Sequence, residues 1–548
     1  MRLLTILLTL AGAGVAALAQ PKATEVRKIS LDQCIQDALK RNFDLQIARY
    51  NPPMALADLR AAYAGWDPNF SLSGNHNFSL SGGGFNATTV TNLTPPSISD
   101  RNSFNSALGG LTPWGLSYSL QGGVSETYGR SGSPFDSSSG QALVTLTQPL
   151  LKNFWIDQTR LNIRVAKNRL KYSELGLKQI IMTTAAQVEQ AYYDLIYFRT
   201  NVGVQEKALT LAEQLVAENQ KRVEVGTLAQ LDLESAKSQA ESSRADLANA
   251  RNSLAKQENL LKQLFVDDFS AWDSVELQPT PETLEAPRQL LNRQDSWSKA
   301  LTQRPDLLQA KLDVERQGVT LKYNYNQLFP ELDLVGTYGH SAGGASVVEF
   351  GQALDQFREG NRPFYSYGAQ LTIPLSNLGA RAAYRKSKLA LEQLVLTLKK
   401  LEQGIMITVA NDIDLAQSSF EQVGARRRAA EYAAADLDAE RKKLDSGKST
   451  TYTVLQKQRD LTTALGNEIL ALDNYNKALS QLSLDEGATL ERLRINVELT
   501  STVFAAAPLS LHAVDTQAQT KAREALEKKM QELQSQPPQT TRPAPELK

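Results

Sequence analysis

The chain has 548 residues, of which 59 are basic and 59 acidic, so its formal net charge is zero. A balanced charge offers no strongly basic surface and excludes the proteins that bind nucleic acid through one. The three histidines fall on two predicted strands and the tail without metal-ligand spacing, and no hydrolase or metalloprotease motif is present. We therefore expect no enzyme, no catalytic residue, no metal site and no cofactor.

Residues 1–19 have the pattern of a secretory signal peptide. Arg2 supplies the positive charge, residues 3–10 are mostly apolar, and Ala17-Leu18-Ala19 forms a cleavage site of small residues. After residue 19 the sequence contains no run of 18 apolar residues, so no transmembrane helix is predicted. The mature chain is therefore expected outside the inner membrane, either soluble or crossing another membrane as a β-barrel.

Two features mark the first predicted helices. Cys34 is the single cysteine, so no intrachain disulfide is expected, and Asp32 and Gln33 before it are unsuited to a lipid-anchor site. We interpret Cys34 as a small apolar residue on a helix face. Further on, Pro52 and Pro53 remove backbone donors and predict a break in the helix.

Alternating apolar and polar residues then predict β-strands in two stretches, 68–149 and 330–374. The longest example runs from Phe70 to Ser81, close to the roughly 9–11 residues that a tilted strand needs to cross a bilayer. Two strands are predicted in each stretch, which makes four per chain. The first stretch has additional residues at 82–140, which would form either long surface loops or an added hairpin around Leu108 to Val124.

The strand count has a consequence for assembly. An open sheet edge cannot sit in lipid because its backbone groups find no partners there. Four strands are also fewer than the practical minimum of about eight for a barrel. The chain is therefore expected to share a barrel with copies of itself.

Two long helical hairpins are predicted at 155–265 and 380–485. Their apolar residues recur with alternating spacings of three and four, which is typical of helices that pack as coiled coils. The run from Trp155 to Val225 would be about 105 Å long at 1.5 Å per residue. Gly226 and Gly447 lie where each long helix turns back, and glycine suits the left-handed position that ends a helix.

The order of these elements occurs twice. Asn42-Phe43-Asp44-Leu45 corresponds to Arg304-Pro305-Asp306-Leu307, and Thr147-Gln148-Pro149-Leu150 corresponds to Thr372-Ile373-Pro374-Leu375. Two similar units in one chain indicate a repeat architecture. We predict a signal peptide at 1–19, a first repeat at 20–286, a second repeat at 287–498 and a partly disordered C-terminal tail at 499–548.

The duplicated motifs and the two glycine turns resemble the TolC-type outer-membrane efflux proteins, over about residues 30–495. The resemblance implies a mixed fold of α-helices and transmembrane β-strands. In that fold a homotrimer shares a 12-stranded barrel in the outer membrane, and a long periplasmic α-helical coiled-coil barrel continues it. It further implies an exit duct for a tripartite efflux pump or a type I secretion system. The partners would be a periplasmic membrane-fusion adaptor, an inner-membrane pump and outer-membrane lipid.

The resemblance also assigns candidate site residues. The adaptor would dock at the helical tips, Val225, Gly226 and Thr227 in the first repeat and Ser446, Gly447 and Lys448 in the second. Candidates for the periplasmic gate are Asp232, Thr453 and Gln456, of which only Asp232 keeps the family's carboxylate. The alternative is a soluble periplasmic coiled-coil adaptor, which would explain export and the helices but not the alternating strands. The exported substrate and the pump class cannot be read from the sequence.

Overall fold

The computed structural model describes residues 25–82, 96–280, 283–343, 350–360 and 362–495. The predicted signal peptide and the predicted C-terminal tail lie outside these ranges. The strands are β1 (Glu25–Ser30), β2 (Asn69–Ser81), β3 (Ser97–Leu111), β4 (Ser117–Ser131), β5 (Ser133–Pro149), β6 (Val275–Thr280), β7 (Glu331–Ala342) and β8 (Pro363–Thr372). The helices are α1 (Leu31–Arg41), α2 (Phe43–Ala48), α3 (Asn51–Tyr63), α4 (Gln158–Glu224), α5 (Gln230–Phe265), α6 (Phe269–Trp272), α7 (Arg293–Gln303), α8 (Pro305–Asn326), α9 (Phe350–Glu359), α10 (Leu378–Asp445), α11 (Thr451–Asp485) and α12 (Thr489–Arg492).

The large sheet has six strands in the order β2-β3-β4-β5-β7-β8, and every neighbouring pair is antiparallel. The prediction of four strands per chain is therefore wrong. The two additional strands are β3 and β4, which form the hairpin around Leu108 to Val124 that the sequence left open as an alternative to loops. The hairpin separates β2 from β5, so that neither of them pairs with the other.

A smaller sheet pairs β1 with β6 in parallel. It lies against α4 through Tyr192, whose side chain is 1% exposed. The Tyr192 hydroxyl accepts a hydrogen bond from the Thr280 amide at 2.9 Å and lies 3.2 Å from the carbonyl oxygen of Ile29. This ties both strands to the same point of the long helix.

The first helices follow the sequence closely. Ser30 caps α1 with a reciprocal bond to Gln33, and Cys34 is 2% exposed in the core, which confirms its interpretation as an apolar packing residue. Pro52 and Pro53 lie in the first turn of α3, where a missing backbone donor leaves no hydrogen bond unmade. The predicted break therefore takes the form of a new helix beginning at Asn51.

The long helices α4 and α10 have 67 and 68 residues, about 100 Å each at 1.5 Å per residue. Each returns as a helix of about half that length, α5 with 36 residues and α11 with 35. Asp157 begins α4 by accepting the Arg160 amide at 2.7 Å. Within the described ranges, none of the helices combines the length and the apolar character needed to cross a bilayer.

Candidate functional sites

The large sheet has one apolar face. The strand register aligns one row of apolar side chains across all six strands: Phe70, Leu108, Leu120, Val144, Tyr338 and Tyr365. Many of them are strongly exposed, for example Phe70 at 64% and Tyr365 at 74%. A soluble monomer rarely exposes an apolar surface of this extent, so this face requires a cover.

The opposite face is polar along most of its length. A representative row consists of Asn69, Gly109, Ser119, Thr145, Thr337 and Ser366. The hydroxyls of Thr145 and Thr337 lie 3.3 Å apart across the β5–β7 pair. One apolar and one polar face on antiparallel strands is typical of a sheet placed between lipid and water.

The apolar face differs at its two ends. Beyond Phe104, the same face of β2 and β3 carries His76, Asn102 and Asp100, with 2.8 Å between His76 Nδ1 and Asn102 Oδ1, before the exposed Phe78 and Leu80 continue it. At the other end, where the strands meet the helices, Trp114 is 63% exposed and Trp155 76% exposed. Aromatic residues at this boundary are typical of the interface between lipid and water.

The two helical tips have the same backbone geometry. Gly226 has φ of +75° and Gly447 has φ of +73°, the left-handed conformation expected for glycine at these turns. In the first tip the Thr227 amide donates to the carbonyl of Arg222 at 2.8 Å. In the second tip the Lys448 amide donates to the carbonyl of Lys443 at the same distance. Both are Schellman motifs, which satisfy the last carbonyls of a helix as the chain leaves it.

Side chains join the two hairpins near these tips. The guanidinium of Arg222 donates to a carboxylate oxygen of Asp445 at 2.9 Å. On the returning helices, Arg459 donates to the side-chain oxygen of Gln239 at 3.1 Å. The tip residues of the two hairpins therefore lie side by side, although nothing in the sequence indicated which residues would connect them.

The gate candidates occupy different local environments. Asp232 lies half-buried in the first turn of α5, where the helix dipole favours a negative charge. Lys237, a cation close to it in sequence, instead forms an ion pair with Glu234 at 3.1 Å. Thr453 donates its amide to the capping hydroxyl of Thr450, and Gln456 is exposed.

Two clusters of buried charge were not predicted. Glu189 on α4 is 0% exposed and accepts hydrogen bonds from Tyr193, Ser480 and both terminal nitrogens of Arg492. Burial, followed by the neighbouring Glu189, raises the pKa of the Tyr193 phenol. Ser480 and Arg492 are 291 and 303 positions from Glu189 in the chain, so their pairing with it left no signal in the sequence.

The second cluster centres on Arg304, between α7 and α8. Its guanidinium donates to Asp306 and to Asp485, both at 2.9 Å. Asp412 on α10 lies beside Asp485, and burial, reinforced by that second carboxyl, raises the pKa of Asp412. Within the described part of the chain, no group of three potential ligands could hold a metal ion.

Comparisons with known proteins agree with this architecture. A family model described as outer membrane efflux protein matches residues 115–265 and 297–485, more than half of the chain. The cation efflux system protein CusC of Escherichia coli O157:H7 is 22% identical over 315 residues, 57% of this chain and 65% of the relative. The pyoverdine export outer membrane protein OpmQ of Pseudomonas aeruginosa is 24% identical over 306 residues, 55% of this chain and 60% of the relative. The chain thus matches less than two thirds of the length of these relatives.

Solved structures show the same fold. The CmeC outer membrane channel of Campylobacter jejuni superposes with a TM-score of 0.60 at 16% identity, covering 87% of this chain and 88% of that one. The open state of the MtrE outer membrane channel of Neisseria gonorrhoeae superposes with a TM-score of 0.58, also at 16% identity, covering 84% and 89%. At these identities the likeness concerns the fold alone.

Proposed function

We propose that this chain, which belongs to the outer membrane efflux protein family, is the exit duct of a tripartite efflux pump or a type I secretion system. The family comprises channels of the bacterial outer membrane rather than enzymes, and the outer membrane is the location of this chain. The duct itself would conduct substrate passively, and a pump in the inner membrane would supply the energy.

One observation carries the proposal. A sheet with one apolar and one polar face continues directly into helices about 100 Å long at 1.5 Å per residue. The sheet suits a pore through lipid, and the helices suit a passage across the periplasm. The alternative, a soluble coiled-coil adaptor, would leave the exposed apolar row from Phe70 to Tyr365 in water.

The open edges of the sheet support assembly from several copies. Among the described strands, β2 and β8 each pair on one side only. Six strands are fewer than the practical minimum of about eight for a closed barrel, and an unpaired edge is not stable in lipid. We propose that β8 of one copy pairs with β2 of the next, and that the family's homotrimer closes the wall.

The tips are the proposed contact with the adaptor. Val225, Gly226, Thr227, Ser446, Gly447 and Lys448 form two turns of the same geometry, at the ends of the long helices furthest from the sheet. Asp232, Thr453 and Gln456 follow these turns, and we propose that they line the periplasmic gate.

Membrane extraction and native mass test this function. The protein should stay in the outer-membrane fraction after a high-salt wash and be released by detergent as a trimer. Release by salt alone would favour the adaptor. A monomer as the only folded species in detergent would refute the shared wall.

A further inference from the structure

We propose that the β3–β4 hairpin is a wall segment that widens the outer-membrane pore, so that the duct passes bulky, hydrophilic cargo. The inference rests on the proposed function, because it assumes that three copies close one barrel. It concerns a pair of strands that the predicted four-stranded chain did not include.

The hairpin is paired along its whole length. β3 pairs with β2 from Ser97 to Gly109 and with β4 from Ser97 to Leu111, while β4 pairs with β5 from Ser117 to Ser131. An extracellular loop would leave the sheet after the end of β2. This hairpin instead occupies the two positions between β2 and β5 in the sheet, over the full height of both strands.

The turn of the hairpin is fastened at the helical end of the sheet. The guanidinium of Arg160, in the first turn of α4, donates to the carbonyl oxygen of Pro113 at 2.9 Å and to that of Phe154 at 2.7 Å. Gly115 in the same turn has φ of +91°, which an L-residue with a side chain rarely adopts. The hairpin thus extends from the outer end of the sheet down to the beginning of the long helix.

The hairpin also has the surface chemistry of the wall. Leu108 and Leu120 continue the apolar row between Phe70 on β2 and Val144 on β5. Along β5, Val144 and Leu146 are exposed whereas Leu143, Thr145 and Thr147 are half-buried, so the apolar side chains stand outward and face the lipid.

The strand count sets the width. Three copies of a six-stranded sheet close with 18 strands, and barrel diameter grows roughly linearly with strand number. The pore would be about 1.5 times as wide as that of a 12-stranded barrel, and its cross-section about twice as large. Barrels of 16–18 strands leave an aqueous channel, whereas small ones are filled by their own side chains.

The inner face matches such a channel. On the polar face of the six strands, the charged residues are Arg101 near the outer end and Glu331 and Asp333 near the helical end. Between these ends the lining is mostly serine, threonine, asparagine, glutamine and glycine. Between the two charged ends the lining carries no ring of charge, and its small side chains leave the width open. Bulky hydrophilic solutes are therefore the cargo that it suits.

Polymer exclusion in planar bilayers tests the inference. Removing residues 97–131 joins β2 to β5 in an antiparallel pair and keeps Phe70 and Val144 on the same face. Polyethylene glycols of graded size, added on the outer side, lower the conductance only if they enter the barrel. The wild type should admit polymers about 1.5 times wider than the largest that the deletion variant admits. A matched control lacking residues 85–93, which connect β2 to β3, should admit polymers of the same largest size as the wild type.

Each outcome separates this inference from the proposed function. A trimer whose polymer limit is unchanged by the deletion overturns the wide pore and leaves the duct intact. If the deletion variant fails to assemble, electron microscopy of the full chain in detergent counts the strands directly. A wall of 18 strands in a trimer supports the inference. A wall of 12 strands refutes it, whether two copies form it or three copies form it with their hairpins outside the wall. A protein that is washed from the membrane by salt refutes the proposed function itself.

Discussion

Replacing Asp412 by asparagine should stabilise the protein at neutral and alkaline pH and leave its stability near pH 4 almost unchanged. Burial, and then the neighbouring Asp485, raises the pKa of the Asp412 carboxyl from 3.8 to about 7. Asparagine keeps the shape of the side chain but cannot acquire the charge that burial disfavours.

The direction of the pH effect follows from proton binding. Between about pH 4 and pH 7 the folded protein holds the Asp412 proton more tightly than the unfolded chain does. The stability that this proton provides is therefore lost as pH rises through the folded pKa. A shift of three pKa units corresponds to about 4 kcal/mol. Because Asp412 is only half-buried, screening by solvent reduces this to about 1–2 kcal/mol.

Thermal unfolding of the detergent-solubilised protein, followed by helical circular dichroism from pH 5 to pH 8, measures the effect. The wild type should lose more Tm over this range than Asp412→Asn. The matched control is Asp414→Asn on the same helix, since Asp414 is 61% exposed and pairs with Arg293 at the surface. If both variants keep the wild-type pH dependence, Asp412 is not the titrating group and the reasoning fails.

Three further predictions concern the tips, the gate and the other buried charge. Gly226→Val and Gly447→Val should each strain their turn by about 1–2 kcal/mol and impair export while the trimer stays intact. Asparagine at the same positions should be tolerated, and normal export by both valine variants would contradict the docking role. Asp232→Ala should loosen the closed state and raise passive conductance in a planar bilayer; an unchanged conductance with an intact trimer would make Asp232 an ordinary surface charge. Arg492→Met should lower the unfolding free energy by about 3–5 kcal/mol, because Glu189 is 0% exposed and would remain buried without its cation. A Tm equal to that of the wild type would show that Glu189 finds another partner.

Local patterns accounted for the helices and their ends. The regular spacing of apolar residues predicted both long hairpins, and α4 begins at Gln158, three residues after the predicted start at Trp155. Gly226 and Gly447 marked the turns because few other residues adopt a positive φ. Pro52 and Pro53 marked a helix boundary for an equally local reason.

Features that depend on distant partners were missed or left open. Gly109, Gly110, Gly122 and Gly123 interrupt the alternation of β3 and β4, so the pattern did not separate a hairpin from long loops. β1 and β6 are six residues each and are defined by pairing with one another. Glu189 meets Arg492 across a sequence separation of 303 residues, and no local spacing could have indicated that pair.

The connection between β5 and β7 has a consequence for the order of folding. Their threonines Thr145 and Thr337 are 192 positions apart, with one complete helical hairpin between them. The strands from β2 to β5 form successive neighbours and can pair as they emerge into the periplasm, whereas β7 emerges only after the whole first helical hairpin. The four strands β2 to β5 would therefore expose the free edge of β5 during export. A periplasmic chaperone that holds extended chains would act most usefully in that interval, before β7 arrives.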